Sequence, residues 1–86
     1  MENKQLLEFP CSFPIKVMGL NTEAFSAAVT AIFDARVSRD QIHYTRRLSS
    51  SNKYLSITVT FVAQSKEQLD TIYGELNAHE LVMMTL

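Results

Sequence analysis

The sequence predicts an α+β fold in which two strand-helix-strand units share one antiparallel sheet. Three observations predict it. Residues Tyr54 to Ala63 alternate, with Leu55, Ile57, Val59, Phe61 and Ala63 on one side and Tyr54, Ser56, Thr58, Thr60 and Val62 on the other. That period of two belongs to a strand with one core face and one semi-polar face. Two further stretches carry apolar residues at helical spacing, and each follows a strand-like run. The serine-rich stretch Ser49-Ser50-Ser51-Asn52 separates two strand-like runs and reads as a hairpin loop.

Taken in order, residues 1–10 read as an N-terminal arm and residues 11–86 as one domain. Leu6, Leu7 and Phe9 give the arm apolar residues with which to dock, and Pro10 and Pro14 favour extended or turn geometry around them. The first strand is expected over Phe13 to Leu20, where Ile15 and Val17 alternate with Lys16 and Met18. Gly19-Leu20-Asn21-Thr22 then turns the chain into a helix that Asn21 or Thr22 caps. Its buried stripe is Phe25, Ala28, Val29, Ile32 and Ala35, its solvated side Glu23, Ser26, Thr30 and Asp34, and its end Arg36 or Val37. Glu23 and Arg36 suit the two ends of the helix dipole. The turn Ser38-Arg39-Asp40-Gln41 leads into a second strand, Ile42 to Leu48, and the hairpin into the third, Tyr54 to Ala63. Ser65 with Gln68 three residues later forms a capping box. The helix that follows buries Leu69, Ile72, Tyr73 and Leu76 and ends near Asn77-Ala78-His79. Glu80 to Leu86 completes the set as an apolar strand. Crossovers of this kind are right-handed. The order β-α-β-β-α-β therefore predicts the ferredoxin-like two-layer sandwich, with strands in the order 4-1-3-2 and both helices on one face.

At 86 residues the chain has room for one core, and 47% hydrophobic content is that of a globular protein. A formal charge of −1 does not point to nucleic acid or an anionic membrane as partner. No apolar run approaches the ~20 residues of a membrane span. The start of the chain leads into no signal-peptide core. Cys11 is the single cysteine and cannot form an internal disulfide. A cytoplasmic setting follows as the expectation, with neither nucleic acid nor membrane as a partner.

Catalytic and metal-ligating residue types are sparse and scattered. His43 falls on a strand and His79 at a helix end, and neither stands at a known spacing from a nucleophile. Cys11, His43 and His79 make no ligand cluster, so no catalytic residue, metal or cofactor is expected. Cys11 reads as a half-buried small hydrophobe. The Gly19-Leu20-Asn21-Thr22 junction offers backbone N–H groups to a carboxylate or phosphate, although every helix start offers the same. Five bases (Arg36, Arg39, Arg46, Arg47 and Lys53) against Asp40 make residues 36–53 basic. Strand 2 is an edge in the expected order, and its arginines serve either to blunt unwanted pairing or to meet an anion. An RNA surface would need a stacking platform, and Tyr54 is alone as an aromatic on the open face of strand 3. The last strand, with Leu81, Met83 and Met84, is an uncharged edge suited to pairing. The open sheet face, with Lys16, Met18, Tyr54 and Thr58, is a second interaction surface. A homodimer is expected from these surfaces.

Several pieces at these spacings, namely Leu7-Glu8-Phe9-Pro10, Phe13 with Lys16-Val17-Met18-Gly19, Ser49-Ser50-Ser51 with Tyr54, Ser56-Ile57-Thr58, Ile72-Tyr73-Gly74-Glu75-Leu76 and Val82-Met83-Met84-Thr85-Leu86, together resemble the YbeD-like family of small bacterial proteins. The resemblance implies a ferredoxin-like fold near the ACT-type regulatory domains. Those domains bind amino acids or other small effectors, commonly at subunit interfaces near the first strand-helix junction. It also implies a bacterial cytoplasmic setting and carries a proposed role in lipoate regulation. It brings no site residues to transfer. The expected function is thus a non-catalytic regulatory module that binds a small effector around Lys16, Met18, Gly19, Leu20 and Asn21. The alternative is a protein-interaction adaptor working through the open face (Tyr54, Thr58) or the last edge (Leu81, Met83, Met84).

Overall fold

In a computed structural model that describes residues 7–86, the elements run β1 (Cys11–Leu20), α1 (Glu23–Asp34), β2 (Ile42–Leu48), β3 (Tyr54–Ala63), α2 (Lys66–Ala78) and β4 (Met84–Thr85). The sheet is antiparallel in the order β2-β3-β1-β4. This is the ferredoxin-like sandwich. The bounds expected for β2 and β3 coincide with those observed. The alternation in β3 is complete, with every second residue from Leu55 to Ala63 buried.

The core lies between the sheet and both helices. Ile15, Val17, Ile57, Val59 and Phe61 meet Phe25, Val29 and Phe33 of α1 and Leu69, Ile72 and Leu76 of α2. Phe33 sets its ring edge-on to Phe61 at 5.5 Å between centroids. The buried stripe of α1 is therefore Phe25, Val29 and Phe33. Of the residues expected there, Ala28 and Ile32 are half-buried and Ala35 is exposed. Repeated steps of four favour the largest side chains, and the helix rotates to bury Phe33.

Several boundaries differ from expectation. β1 begins at Cys11, two residues early, because β3 extends to Ala63 and pairs with Cys11. Pro14 is tolerated within it for a specific reason. Lys16 exchanges backbone bonds with Leu86 (3.1 and 2.8 Å), so even-numbered residues of β1 turn their backbone groups toward β4. Pro14 turns the same way, and the β4 ladder covers only Val17 and Met18. Its missing N–H has no described strand to bond. α1 ends at Asp34 rather than Arg36 or Val37, because the N–H groups of Arg36 and Val37 both bond to the Phe33 carbonyl. Arg36 thus serves not the dipole of α1 but an ion pair with Glu75 of α2. Thr22 is the N-cap, accepting from the Phe25 N–H. Ser65 caps α2, and Gln68 reaches back to the Gln64 N–H and also donates to the Arg36 carbonyl. Tyr73 is half-buried. β4 is two residues long instead of seven. His79 turns the chain by accepting the Leu81 N–H on Nδ1 and the Val82 N–H on its carbonyl, so Glu80 and Leu81 lie in a turn. Of the expected arm, residues 1–6 lie outside the described residues. Phe9 packs on the core and Leu7 is exposed.

The two glycines differ in what they allow. A Cβ at Gly19 would stand 2.5 Å from the Phe25 ring and 2.8 Å from the Leu81 carbonyl, whereas one at Gly74 would meet nothing within 4 Å. Gly19→Ala should cost about 1–3 kcal/mol, lowering Tm by about 5–15 °C. Gly74→Ala should instead add about 0.5–1 kcal/mol through helix propensity. Urea denaturation of both variants checks this pair of opposite signs. The Arg36 guanidinium, by hydrogen bond and charge, holds the Glu75 carboxyl below its ordinary value. Its contribution is present above the unfolded glutamate pKa and lost as pH falls through the lower folded value. Glu75→Gln should therefore flatten stability against pH in the acid range, and high salt should shrink the difference.

Candidate functional site

The open face of the sheet presents the even-numbered residues of β1 and β3 and, by register, His43, Thr45 and Arg47 of β2. Rows run across it. Thr45, Thr58 and Lys16 form one, and Arg47, Ser56, Met18 and Met84 the next. Leu86 bonds to Lys16 at the margin of the first row. No acidic side chain lies on this face among the described residues. Those acids lie on the helices, in the turns beside them and at Glu8.

Two adjoining depressions share Lys16, Arg47 and Ser56. One, of about 330 Å³, is polar and adds Thr45, Arg46 and Thr58. The other, of about 380 Å³, adds Met18, Tyr54 and Leu86. Lys16 and Arg47 stand on strands either side of β3 in adjacent rows, about 12 Å apart by strand and row spacing, with the Ser56 and Thr58 hydroxyls between them. Neither cation is in an ion pair with another described residue, whereas Arg36, Arg39 and Lys66 are paired with Glu75, Asp34 and Asp70. The arrangement suits an anion set on hydroxyls between two cations, with an apolar body on the neighbouring floor.

The residues expected to bind an effector are thus split. Lys16 and Met18 are on the open face. Leu20 ends β1 at 46% exposure, and Asn21 follows it. Gly19 is buried beneath Phe25 and the Leu81 carbonyl. At the junction the Asn21 N–H is taken by Lys53, the Thr22 N–H by Leu20 and the Phe25 N–H by the Thr22 hydroxyl. Asn21 Nδ2 also holds the Asn52 carbonyl at 3.1 Å, clamping the hairpin loop to the helix start. Tyr54 and Thr58 join Lys16 and Met18 in one surface. Met84 lies at its edge, beside Met18. Leu81 sits apart in its turn, and Met83 is 60% exposed beside β4. From the sequence, Arg47 belongs to a basic edge suited to an anion but is not joined to Lys16, and Ser56 and Thr45 are missed as site members. Their shared parity with Lys16 becomes visible only once the β2–β3–β1 register is known.

Other reactive groups stand alone. His43 is exposed, Cys11 is half-buried, and among the described residues no three His, Cys, Asp or Glu side chains gather. Tyr44 is the exception in chemistry. Its hydroxyl is buried without a hydrogen-bond partner. Burial, with the nearby Asp34 charge, raises its pKa above the usual phenol value. Arg39 already engages the Asp34 carboxylate at 2.9 Å.

The chain is a small two-layer α+β sandwich whose open sheet face carries no acidic side chain among the described residues. Over residues 4–86 the chain matches the family described as protein of unknown function DUF493. It is 44% identical to a UPF0250 protein of Neisseria gonorrhoeae over 99% of this chain and 96% of that one. It is 38% identical to a UPF0250 protein of Nitrosomonas europaea over the whole of both. The chain belongs to this family, in agreement with its YbeD-like sequence features. The solution structure of HP0495 from H. pylori superposes with a TM-score of 0.78 at 15% identity, covering 96% of this chain and 88% of that one. An uncharacterized protein of Thermotoga maritima does so at 0.66 and 10%, covering 87% and 92%. These likenesses show the fold. No helix among the described residues is long and apolar enough to cross a membrane.

Tyr44→Phe removes a buried hydroxyl that has no partner. It should leave stability unchanged or raise it by up to about 1 kcal/mol, as read by thermal unfolding, and a loss would reveal a bond to Asp34.

Proposed function

We propose that this chain is a non-catalytic regulatory module whose effector is a small amphipathic anion bound on the open sheet face. The observation that carries the reading is the pair Lys16 and Arg47, free of described ion-pair partners, across the Ser56 and Thr58 hydroxyls and beside Met18, Tyr54 and Leu86. Both cations lie on exposed parts of the strands, so an anion exchanges with water there at little desolvation cost. Affinity then depends on the apolar body, at about 25 cal/mol per Å² removed from water. A carboxylate with a chain of several methylenes fits both halves. The ACT-type effector binding and the lipoate role that the YbeD-like resemblance implies agree with that chemistry.

The test is a thermal-shift series with octanoate, lipoate, free amino acids, octylamine and octanol. Ligand at about 100 times its Kd adds about 2.7 kcal/mol, which moves Tm by roughly 10 °C or more for a domain of this size. Octanoate and lipoate should raise Tm, while octylamine and octanol should not. Lys16→Gln with Arg47→Gln should abolish the shift. A flat response to both acids overturns the reading.

A further inference from the structure

The outer edge of β2 is a second surface, which shares Arg47 with the effector site. β2 is seven residues long and stands at the margin of the sheet. Which of its backbone groups point outward follows from the hairpin. The Ser49 N–H bonds to the Tyr54 carbonyl at 2.9 Å, which makes Ser49 and Tyr54 a hydrogen-bonded pair. In an antiparallel ladder such pairs alternate. Arg47, Thr45 and His43 therefore bond inward to Ser56, Thr58 and Thr60. Ile42, Tyr44, Arg46 and Leu48 turn their N–H and C=O groups outward. Ile42 spends its N–H on the Arg39 carbonyl. The backbone groups of Tyr44, Arg46 and Leu48 have no partner among the described residues. No proline interrupts this edge.

The side chains say what would pair there. Arg46 and Arg47 are successive residues and leave the strand on opposite faces. Arg46 starts on the helix side, donating to the Ser26 hydroxyl at 2.6 Å, and Arg47 lies on the open face beside Lys16, Met18 and Tyr54. Neither is in an ion pair with another described residue. Of the two acids bordering the Arg46 groove, Glu23 and Asp34, the second is already held by Arg39. A second copy pairing along β2 would gather four arginines on one seam with no acid on either edge, which opposes self-association. A strand with two successive acidic residues would set one carboxylate opposite each arginine, with Cβ atoms about 5 Å apart.

We propose that β2 is a docking edge for an extended acidic segment of a partner protein, which adds a fifth strand and reads Arg46 and Arg47 from both faces at once. Main-chain bonds to Tyr44, Arg46 and Leu48 supply the hold, and the paired charges select the partner and its register.

A fluorescein-labelled peptide with Asp-Glu at the centre of a Val/Thr alternation tests this against its Lys-Lys counterpart. Anisotropy reports affinity, and amide hydrogen exchange by NMR reports position. The acidic peptide should bind saturably, and the basic one at least about tenfold more weakly. The Tyr44, Arg46 and Leu48 amides should gain protection. Methylating alternate peptide nitrogens should abolish binding. Arg46→Glu should weaken binding by at least about tenfold, whereas Lys16→Gln, which removes an effector-site cation two strands away from this edge, should leave peptide affinity unchanged. Equal affinity for the two peptides overturns the proposal, as does absence of binding or protection placed elsewhere. Concentration-dependent protection of the same three amides without peptide would assign the edge to a second copy and equally overturn it. Should Arg46→Glu fail to fold, the exchange pattern of the unsubstituted protein with the two peptides decides alone.

Discussion

The fold depends on the absence of a side chain at position 19. β1 is one of the two inner strands, and α1 and the turn before β4 both converge on it at Gly19. The Phe25 ring lies where a Cβ would stand, and the Leu81 carbonyl approaches to 2.8 Å of the same point. The first contact sets how closely α1 rests on the sheet, and so how deeply Val29 and Phe33 reach the core. The second brings the chain down beside β1, where residues 83–86 take their bonds from Met18 and Lys16. One missing methyl thus fixes the spacing of the helical layer and the position of the fourth strand together.

Much of this was legible in the sequence, for physical reasons that differ by element. β3 was legible because its two faces meet different solvents over ten residues, and no competing period fits. The strand order followed from crossover handedness. The stripe of α1 was only partly legible. Several apolar residues compete along it, and the choice between Phe33 and Ala35 is made by Phe61 on another strand. β4 misled because an apolar run of strand-like composition is bent by a histidine that accepts the N–H of Leu81. The candidate site was half legible. Lys16, Met18, Tyr54 and Thr58 could be put on one face by parity, but Arg47 joins them only through a pairing register. Gly19 was singled out as a ligand contact, whereas its contacts are structural.

Charge is sorted by layer. Glu67, Asp70 and Glu75 lie on α2 and Glu23 and Asp34 on α1, while Lys16 and Arg47 face away from both helices. A net charge of −1 conceals this separation. The acids of the helical layer are largely neutralised by Arg36, Arg39 and Lys66, and an approaching anion is drawn to the open face, where cations stand without local acids. The hairpin loop is part of the same arrangement. Ser49 accepts the Tyr54 N–H on its hydroxyl and Asn21 holds the Asn52 carbonyl, so Lys53 is kept near the Tyr54 ring, its ammonium 5.4 Å from the centroid.

The brevity of β4 has a consequence for the energetic texture of the sheet. β1 and β3 pair over ten positions and β2 and β3 over seven, but β1 and β4 over two. Met83, Met84 and Leu86 bury little of themselves, at 60%, 51% and 65% exposure, and Thr85 adds one hydrogen bond to Asn77. Local opening costs least where ladders are short and apolar burial is small. The molecule is therefore a firm three-stranded platform with a fourth strand on a latch, and each brief release of that latch exposes the backbone of Lys16 and Met18 without disturbing the core beneath.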